Sequence, residues 1–275
     1  MRKMIKRYIL ATFAVMLFVS VNLAQAAAAV PMDVVLRWAP VIEQQNYSNN
    51  PVDRVNVFTR VNFDQDWRTN NNSMNIPFVS AVDPVVYYSL VESTMHYFVG
   101  YYLYYARYEG NQEHENDMIG VLIALRKPGL WAEDADMVLT YSNGKWKRWK
   151  DSSSLSSKKR FMISIKSGLH KIETPATSPK PGALLFYPHG ENLYQERNYY
   201  RLANLAELWQ HRDDIGPGRV FSRWGYFDGY YYKNTAAPWV WAHNRIQWLS
   251  NPAELMQDIL HLEKTAIIYQ NNEYR

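Results

Sequence analysis

Two aromatic runs followed by an apolar one dominate what this chain can fold into. They are VVYYSLV at 85–91, MHYFVGYYLYYARY at 95–108 and MIGVLIAL at 118–125. Valine and tyrosine at this density disfavour a helix. Their side chains lose rotamer freedom against a preceding helical turn and pack well on a pleated surface. The first two runs predict strands buried on at least one face, with the chain reversing near residues 92–94. The third reads as a core strand that ends at Lys127–Gly129.

The remaining chain fits around such a sheet. Residues 33–42 form a short packed entry segment ending near Pro40, and 46–50 is a polar turn. VNVFTRVNF at 55–63 alternates as a strand does, and 64–75 has a loop composition. Asn143-Gly144 lies between two apolar segments, the strongest short-range hairpin signal because both residues tolerate positive φ. Short strands are predicted at 161–165 and from Leu184, separated by a Pro-rich connection at 174–182.

Two helices are predicted late. One, at 198–212, follows the spacing of Leu202, Leu205, Leu208 and Trp209. The other, at 251–263, has Asn251 as N-cap, Pro252 in the first turn, Glu254 in the capping-box position and an apolar face of Leu255, Ile259 and Leu262. No internal repeat is visible. The predicted fold is mainly β, an antiparallel β-sandwich with a few peripheral helices.

The first residues have the order of a secretory leader. MRKMIKR carries four cations and no acid, an apolar run occupies 8–24, and AQAAAA supplies the small residues a signal peptidase reads. A transmembrane anchor is the competing reading, but the run sits at the short edge of the roughly 17–25 residues a span needs, and no basic stop-transfer cluster follows. A leader at 1–29, a single sandwich-like domain at 30–275, no span after cleavage and a secreted or periplasmic location are the expectation. Cleavage also changes the charge. The full chain has 30 Lys+Arg against 26 Asp+Glu. Without the leader's four cations, 26 face 26, which gives no footprint for nucleic acid. The chain has no cysteine, so its core must hold it without disulfides.

The segment Glu113-His114-Glu115-Asn116-Asp117 stands at the entrance of the apolar strand. An imidazole with carboxylates at such a point can bind a divalent cation or share proton transfer, although a solvated turn has the same composition. His114, Asp117 and Glu115 are the candidate ligands for Ca²⁺ or Mg²⁺. As a loop-edge residue, Asp117 should be replaceable for under about 0.5 kcal/mol. His170 follows a strand and a glycine and is a candidate ligand-binding residue, as are Trp224 and Tyr226 in the aromatic segment 216–241. His189 lies in a tight-turn sequence. No Gly-x-Ser-x-Gly elbow, His-Glu-x-x-His pair or Gly-x-x-x-x-Gly-Lys loop is present. No catalytic residue is assigned.

The stretch 101–125 resembles the central motif of the necrosis-inducing cytolysins and of the vacuolar-sorting-62-like proteins. There an aromatic strand precedes His-x-x-Asp-Trp-Glu and an apolar strand. His114 and Asp117 match the His and Asp of that motif; Met118 and Ile119 replace its Trp and Glu. Leu36-Arg37-Trp38-Ala39-Pro40-Val41, Ser167-Gly168-Leu169-His170 and Arg223-Trp224-Gly225 are similar to further motifs of the vacuolar-sorting-like group. The resemblance implies a β-sandwich and, from the cytolysins, an acidic cation site to which the missing Glu belonged. Three functions are carried forward. The first is cytolysin-like, cation-assisted recognition of a glycan or lipid headgroup. The others are metal-dependent hydrolysis through the His114/Asp117 cluster and an envelope structural role with no small-molecule site.

Overall fold

The computed structural model describes residues 32–45, 51–127, 135–149, 161–173, 179–189, 198–229 and 235–275. The expected leader, the 46–50 turn and most of the Pro-rich connection lie outside the described residues. Asp33–Arg275 forms one compact unit.

Three strands organise it. β2 (Val85–Ser93) turns at 94–95 into β3 (His96–Tyr108), which pairs antiparallel with β4 (His114–Arg126) along its whole length, from His96↔Arg126 to Tyr108↔His114. Both faces of this trio are buried. Tyr87, Tyr102, Tyr104, Met118 and Leu122 face an outer layer that includes Phe221, Trp239, Trp241 and Trp248. Val86, Tyr101, Tyr105, Ile119 and Ile123 face an inner layer with Ile42, Phe58, Ile163 and Ile165. Burial on both faces explains why these strands read as continuous apolar runs and not as alternating ones. Each such side chain contributes roughly 1.5–3 kcal/mol on leaving water.

The tyrosines also satisfy polar groups between the layers. Tyr102 Oη lies 2.7 Å from both Ser89 Oγ and Trp248 Nε1. Tyr101 donates to Val35 O and Tyr200 to Pro40 O, at 2.6 and 2.7 Å. Elements distant in sequence are thereby tied together in a chain without disulfides.

The sheet differs from the expected antiparallel sandwich. β1 (Val41–Gln44), β5 (Ala135–Ser142), β6 (Lys145–Arg148), β7 (Met162–Lys166), β8 (Lys171–Glu173), β9 (Leu184–Pro188) and β10 (Asn198–Asn204) join the trio in one sheet. Its order is β6-β5-β4-β3-β2-β10-β9-β1-β7-β8. The β2–β10, β10–β9 and β1–β7 pairs are parallel, so the sheet is mixed. It curls until β8 comes against β5, making a half-barrel around the inner layer.

The helix predicted at 198–212 is mostly strand β10, and only Ala206–Trp209 is helical (α3, after α1 at Met32–Trp38 and α2 at Asn72–Asn75). The three-and-four spacing of its leucines gave way because 198–204 fills the slot between β2 and β9, with Tyr200 buried against the inner layer and Ala203 against the outer. The strand predicted at 55–63 is a 3₁₀ turn, Pro51–Asn56, followed by a single bridge from Thr59 to Tyr104. Its alternation reflects Val55, Phe58 and Val61 entering three different apolar clusters. The late helix is present as α4, Pro252–Ile259. It stops short of Leu262, which is half exposed, and Asn251 makes no side-chain cap bond. The 143–144 hairpin forms as expected, with φ of +51° and +69°. Among the described residues no helix is long and apolar enough to cross a membrane.

Candidate functional site

β4 begins before β5 has a place beside it. The β4–β5 ladder starts only at Gly120↔Tyr141, and His114, Asp117 and Met118 of the stretch before it line a cleft of about 660 Å³. Tyr108, Tyr141, Tyr226 and Trp241 give it aromatic walls. His114, Asp117 and Arg223 give it charge, and the amides of Asn111, Gln112 and Asn143 complete its polar lining.

Asp117 is fixed from behind. Its Oδ2 is 2.8 Å from Nδ1 of His170, a fully buried ring stacked on Tyr105 at 3.7 Å between centroids and 8° between planes. His170 closes the turn between β7 and β8, where Gly168 has φ +69° and His170 itself +40°. A left-handed non-glycine residue costs roughly 1–2 kcal/mol. The turn is held by Gly168 N–H donating to Asn56 Oδ1 at 2.6 Å and by Gly168 O accepting from Glu109 N–H at 2.8 Å. His170 Nε2 is buried without a hydrogen-bond partner. The ring therefore serves Asp117 and does not itself reach the cleft. Asp117 Oδ1 makes no hydrogen bond to a described residue, and Asp117 lines the cleft. Burial, and after it the Asp117 charge, raises the Tyr105 and Tyr108 hydroxyls above the ordinary phenol range. Burial, then Tyr226 and Asp117, pushes Tyr141 up to about 12. These phenols stay protonated as donors.

His114 stacks on Tyr108 at 4.7 Å, with Nδ1 2.9 Å from Asn116 O and 3.2 Å from Thr235 Oγ1. With Nδ1–H donated to that carbonyl, Nε2 is the ring's remaining acceptor. His114 and Asp117 are three residues apart and would point to opposite faces of a regular strand. Asn116 between them has φ +58°, a conformation asparagine tolerates better than most residues. Its amide donates to Asp228 O at 2.8 Å and Thr69 O at 3.2 Å, and its Oδ1 accepts from Tyr104. This anchored twist lets both side chains line one cleft.

The other predicted residues divide. Tyr226 lines the cleft, with the Arg223 guanidinium 3.9 Å from its ring centroid. Trp224 is 42% exposed and stands edge-on to Trp209, outside the cleft lining. Glu115 lines a second, smaller cleft of about 460 Å³ with Ser73, Met74 and Arg107 and does not join Asp117. His189 sits at the exposed end of β9. Ile119, where the resembled family has a Glu, is fully buried in the inner layer. Among the described residues no three His, Asp or Glu side chains converge as a metal site. Asp117 and His114 alone fall short of the six to eight oxygens that calcium takes or the octahedron magnesium demands, so the donor set among the described residues does not by itself make a resident cation site.

Tyr108, Tyr141 and Trp241 in the lining and Thr235 beside His114 belong to none of the candidate site residues above, and Arg223 figures there only within Arg223-Trp224-Gly225. The signals were present. The Asn143-Gly144 turn projects into the cleft, and Gly225 marks a close approach: a Cβ there would meet Val240 Cγ1 at 2.5 Å and Trp239 Nε1 at 2.8 Å.

No family model and no curated protein matches the chain. Among solved structures it is similar to NLPPya in complex with mannosamine, with 14% identity over 66% of this chain and 76% of that one, TM-score 0.39. It is also similar to Necrosis and Ethylene inducing Protein 2 from the causal agent of cocoa's Witches Broom disease, with 12% identity over the same shares, TM-score 0.36. A third is described as a toxin fold for microbial attack and plant defense, with 14% identity over 78% of this chain and 87% of that one, TM-score 0.42. These similar structures include the necrosis-inducing group that the short motifs resemble.

Proposed function

We propose that this chain is an exported binding protein whose cleft recognises a saccharide, free or as a headgroup. The observation that carries the reading is one cleft holding both aromatic walls and a carboxylate fixed from behind by a buried imidazole. A sugar presents C–H faces that pack on Tyr and Trp rings, and hydroxyls that need acceptors already in place. Asp117 Oδ1 and His114 Nε2 serve as acceptors; the Tyr108 and Tyr141 hydroxyls and the cleft amides serve as donors.

Glycoside hydrolysis has less support. It ordinarily needs two carboxyl groups flanking the scissile bond, and Asp117 is the one carboxylate in the described lining. His170 is sealed behind Asp117 and has no path to a substrate, which leaves His114 as the one imidazole in the described lining, without a second carboxyl group to work with. A divalent cation would have to take most of its ligands from the sugar and from water, with Asp117 as its anionic anchor.

Calorimetric titration with a panel of mono- and disaccharides, with and without 2 mM calcium (a concentration on the order of the weakest extracellular calcium sites), tests the reading. Saturable binding lost in Tyr226→Ala and Asp117→Asn is expected. Absence of binding to every member would overturn it. Export is tested separately by mass spectrometry of the secreted chain, whose first residue should lie between 27 and 30.

A further inference from the structure

The charge around the cleft carries the saccharide reading one step further, and rests on it. Arg223 lies in the lining, exposed, its guanidinium stacked on Tyr226. It pairs with no carboxylate among the described residues. Lys145 directly follows Gly144, which lines the cleft. Lys166 and Lys171 stand opposite each other across the β7–β8 ladder and flank the turn whose Leu169 lines the cleft. All three lysines are exposed, and none makes an ion pair among the described residues.

Like charges directly opposite in a ladder repel each other. This pair on the strands that carry the Leu169 turn, and Lys145 next to Gly144, add positive charge around the Arg223 that lines the cleft. The acids near them are already engaged: Asp117 is bound to His170, Glu109 sits beside Gly168, and Glu173 on β8 pairs with Lys180 and also attracts Lys166. Exposed cations thus stand on the segments that carry cleft-lining residues, with Arg223 in the lining itself. The two signs inside the cleft are also separated by role. Asp117 offers an acceptor to hydroxyl donors, while Arg223 offers a planar fork of donors suited to a carboxylate or phosphate.

We propose that the cleft selects an anionic saccharide, a sugar bearing a carboxylate or a phosphate. Arg223 meets the anionic group, Asp117 accepts from a hydroxyl, and the rim lysines raise the local concentration of the ligand. No bond is made or broken.

The test is calorimetry on the mature protein with glucose, glucuronate, glucose 6-phosphate, glucosamine and inorganic phosphate, at low and high salt. Glucuronate or glucose 6-phosphate should bind about tenfold more tightly than glucose, as expected of one charge-assisted contact. The preference should shrink as salt rises, and glucosamine should bind more weakly than either. The two charged sugars separate carboxylate from phosphate as the recognised group. Arg223→Gln should bring the charged-to-neutral ratio to about one, and Arg223→Lys should keep part of the preference. Arg245→Gln, at the turn of the two-stranded ribbon Ala242–His243/Ile246–Gln247 and outside the cleft lining, should leave the ratio unchanged. Equal affinity for charged and neutral sugars would overturn this proposal while leaving saccharide recognition standing. No binding by any sugar would remove both. Inorganic phosphate binding as tightly as glucose 6-phosphate would show an anion site without sugar recognition, and would also overturn it.

Discussion

Replacing Asp117 by alanine strips the acceptor from a fully buried histidine. In the folded protein His170 Nδ1 has Asp117 Oδ2 at 2.8 Å, and Nε2 has no partner at all. Asp117→Ala therefore leaves a ring with two unsatisfied nitrogens, stacked on Tyr105 and out of reach of water. A buried polar group that loses its partner costs about 1–3 kcal/mol. In a domain of this size each kcal/mol lowers Tm by roughly 2–4 °C, so a fall of about 4–8 °C is expected at the middle of that range. Asp117→Asn keeps a carbonyl oxygen that can accept from Nδ1–H, and should lose under about 1 kcal/mol. Read from sequence, Asp117 was a loop-edge residue replaceable for under about 0.5 kcal/mol; its 8% exposure and its partner correct that reading. Thermal melts of the three proteins by circular dichroism, backed by urea titrations, measure the difference. Alanine and asparagine variants both melting within about 1 °C of the parent, a negligible energy on this scale, would refute the dyad as a structural unit. With it would go the mechanism that presents Oδ1 to the cleft.

Burial holds the hydroxyls of Tyr87, Tyr102, Tyr104 and Tyr105 above the ordinary phenol pKa. For an acid raised on folding, the folded chain keeps protons that the unfolded chain gives up. Stability is intact below the unfolded value of about 10 and is lost as pH climbs past it. Urea midpoints should fall steeply from about pH 10 upward, and the 295 nm phenolate signal of these residues should rise only with unfolding; their titration near pH 10 in an intact fold would contradict this. Tyr102→Phe leaves the buried Trp248 Nε1–H and Ser89 Oγ without their common partner and should cost roughly 1–3 kcal/mol by urea denaturation. Gly225→Ala combines φ +68° with a 2.5 Å approach to Val240. It should destabilise by about 2 kcal/mol or more and weaken binding through Arg223 and Tyr226, with melts and calorimetry as the readouts.

The parts of the fold that could be read in the sequence were those where one local rule had no competitor. The β2–β3–β4 trio is one. Its side chains are so uniformly apolar and aromatic that a helix would waste them, and the reversal near 92–94 needed only the change in composition. The 143–144 hairpin is another, because left-handed backbone at two successive residues is a local requirement that Asn-Gly meets. Where two rules competed, tertiary context decided. Leu202, Leu205 and Leu208 satisfy helical spacing, yet Asn198–Asn204 has a strand on either side to pair with, and the ladder prevailed. The parallel pairs could not be seen at all. Whether a strand lies parallel to a neighbour over a hundred residues away, as β1 does to β7, depends on the path of the connections and not on the residues in the strand.

The site shows the same division more sharply. His114 and Asp117 were found because they lie in one short polar segment before an apolar strand. Simple spacing nevertheless made them too easily a pair of ligands, since three residues along a regular strand would have set them on opposite faces. The residue that reconciles them is Asn116. Its left-handed backbone is sustained by bonds to Thr69, Tyr104 and Asp228, drawn from three other parts of the chain. Glu115, a neighbour of both, is carried by the same twist to a different cleft. His170 was picked out for its glycine-rich turn, but its role depends on the stack against Tyr105 and the bond to Asp117, 53 residues away. An isolated histidine after a glycine does not say whether it will meet a ligand or hold the residue that does. Here burial decides: a ring with no exposure acts on the cleft through Asp117, so substituting His170 should change binding only indirectly, by loosening Asp117, whereas substituting Asp117 removes the acceptor itself.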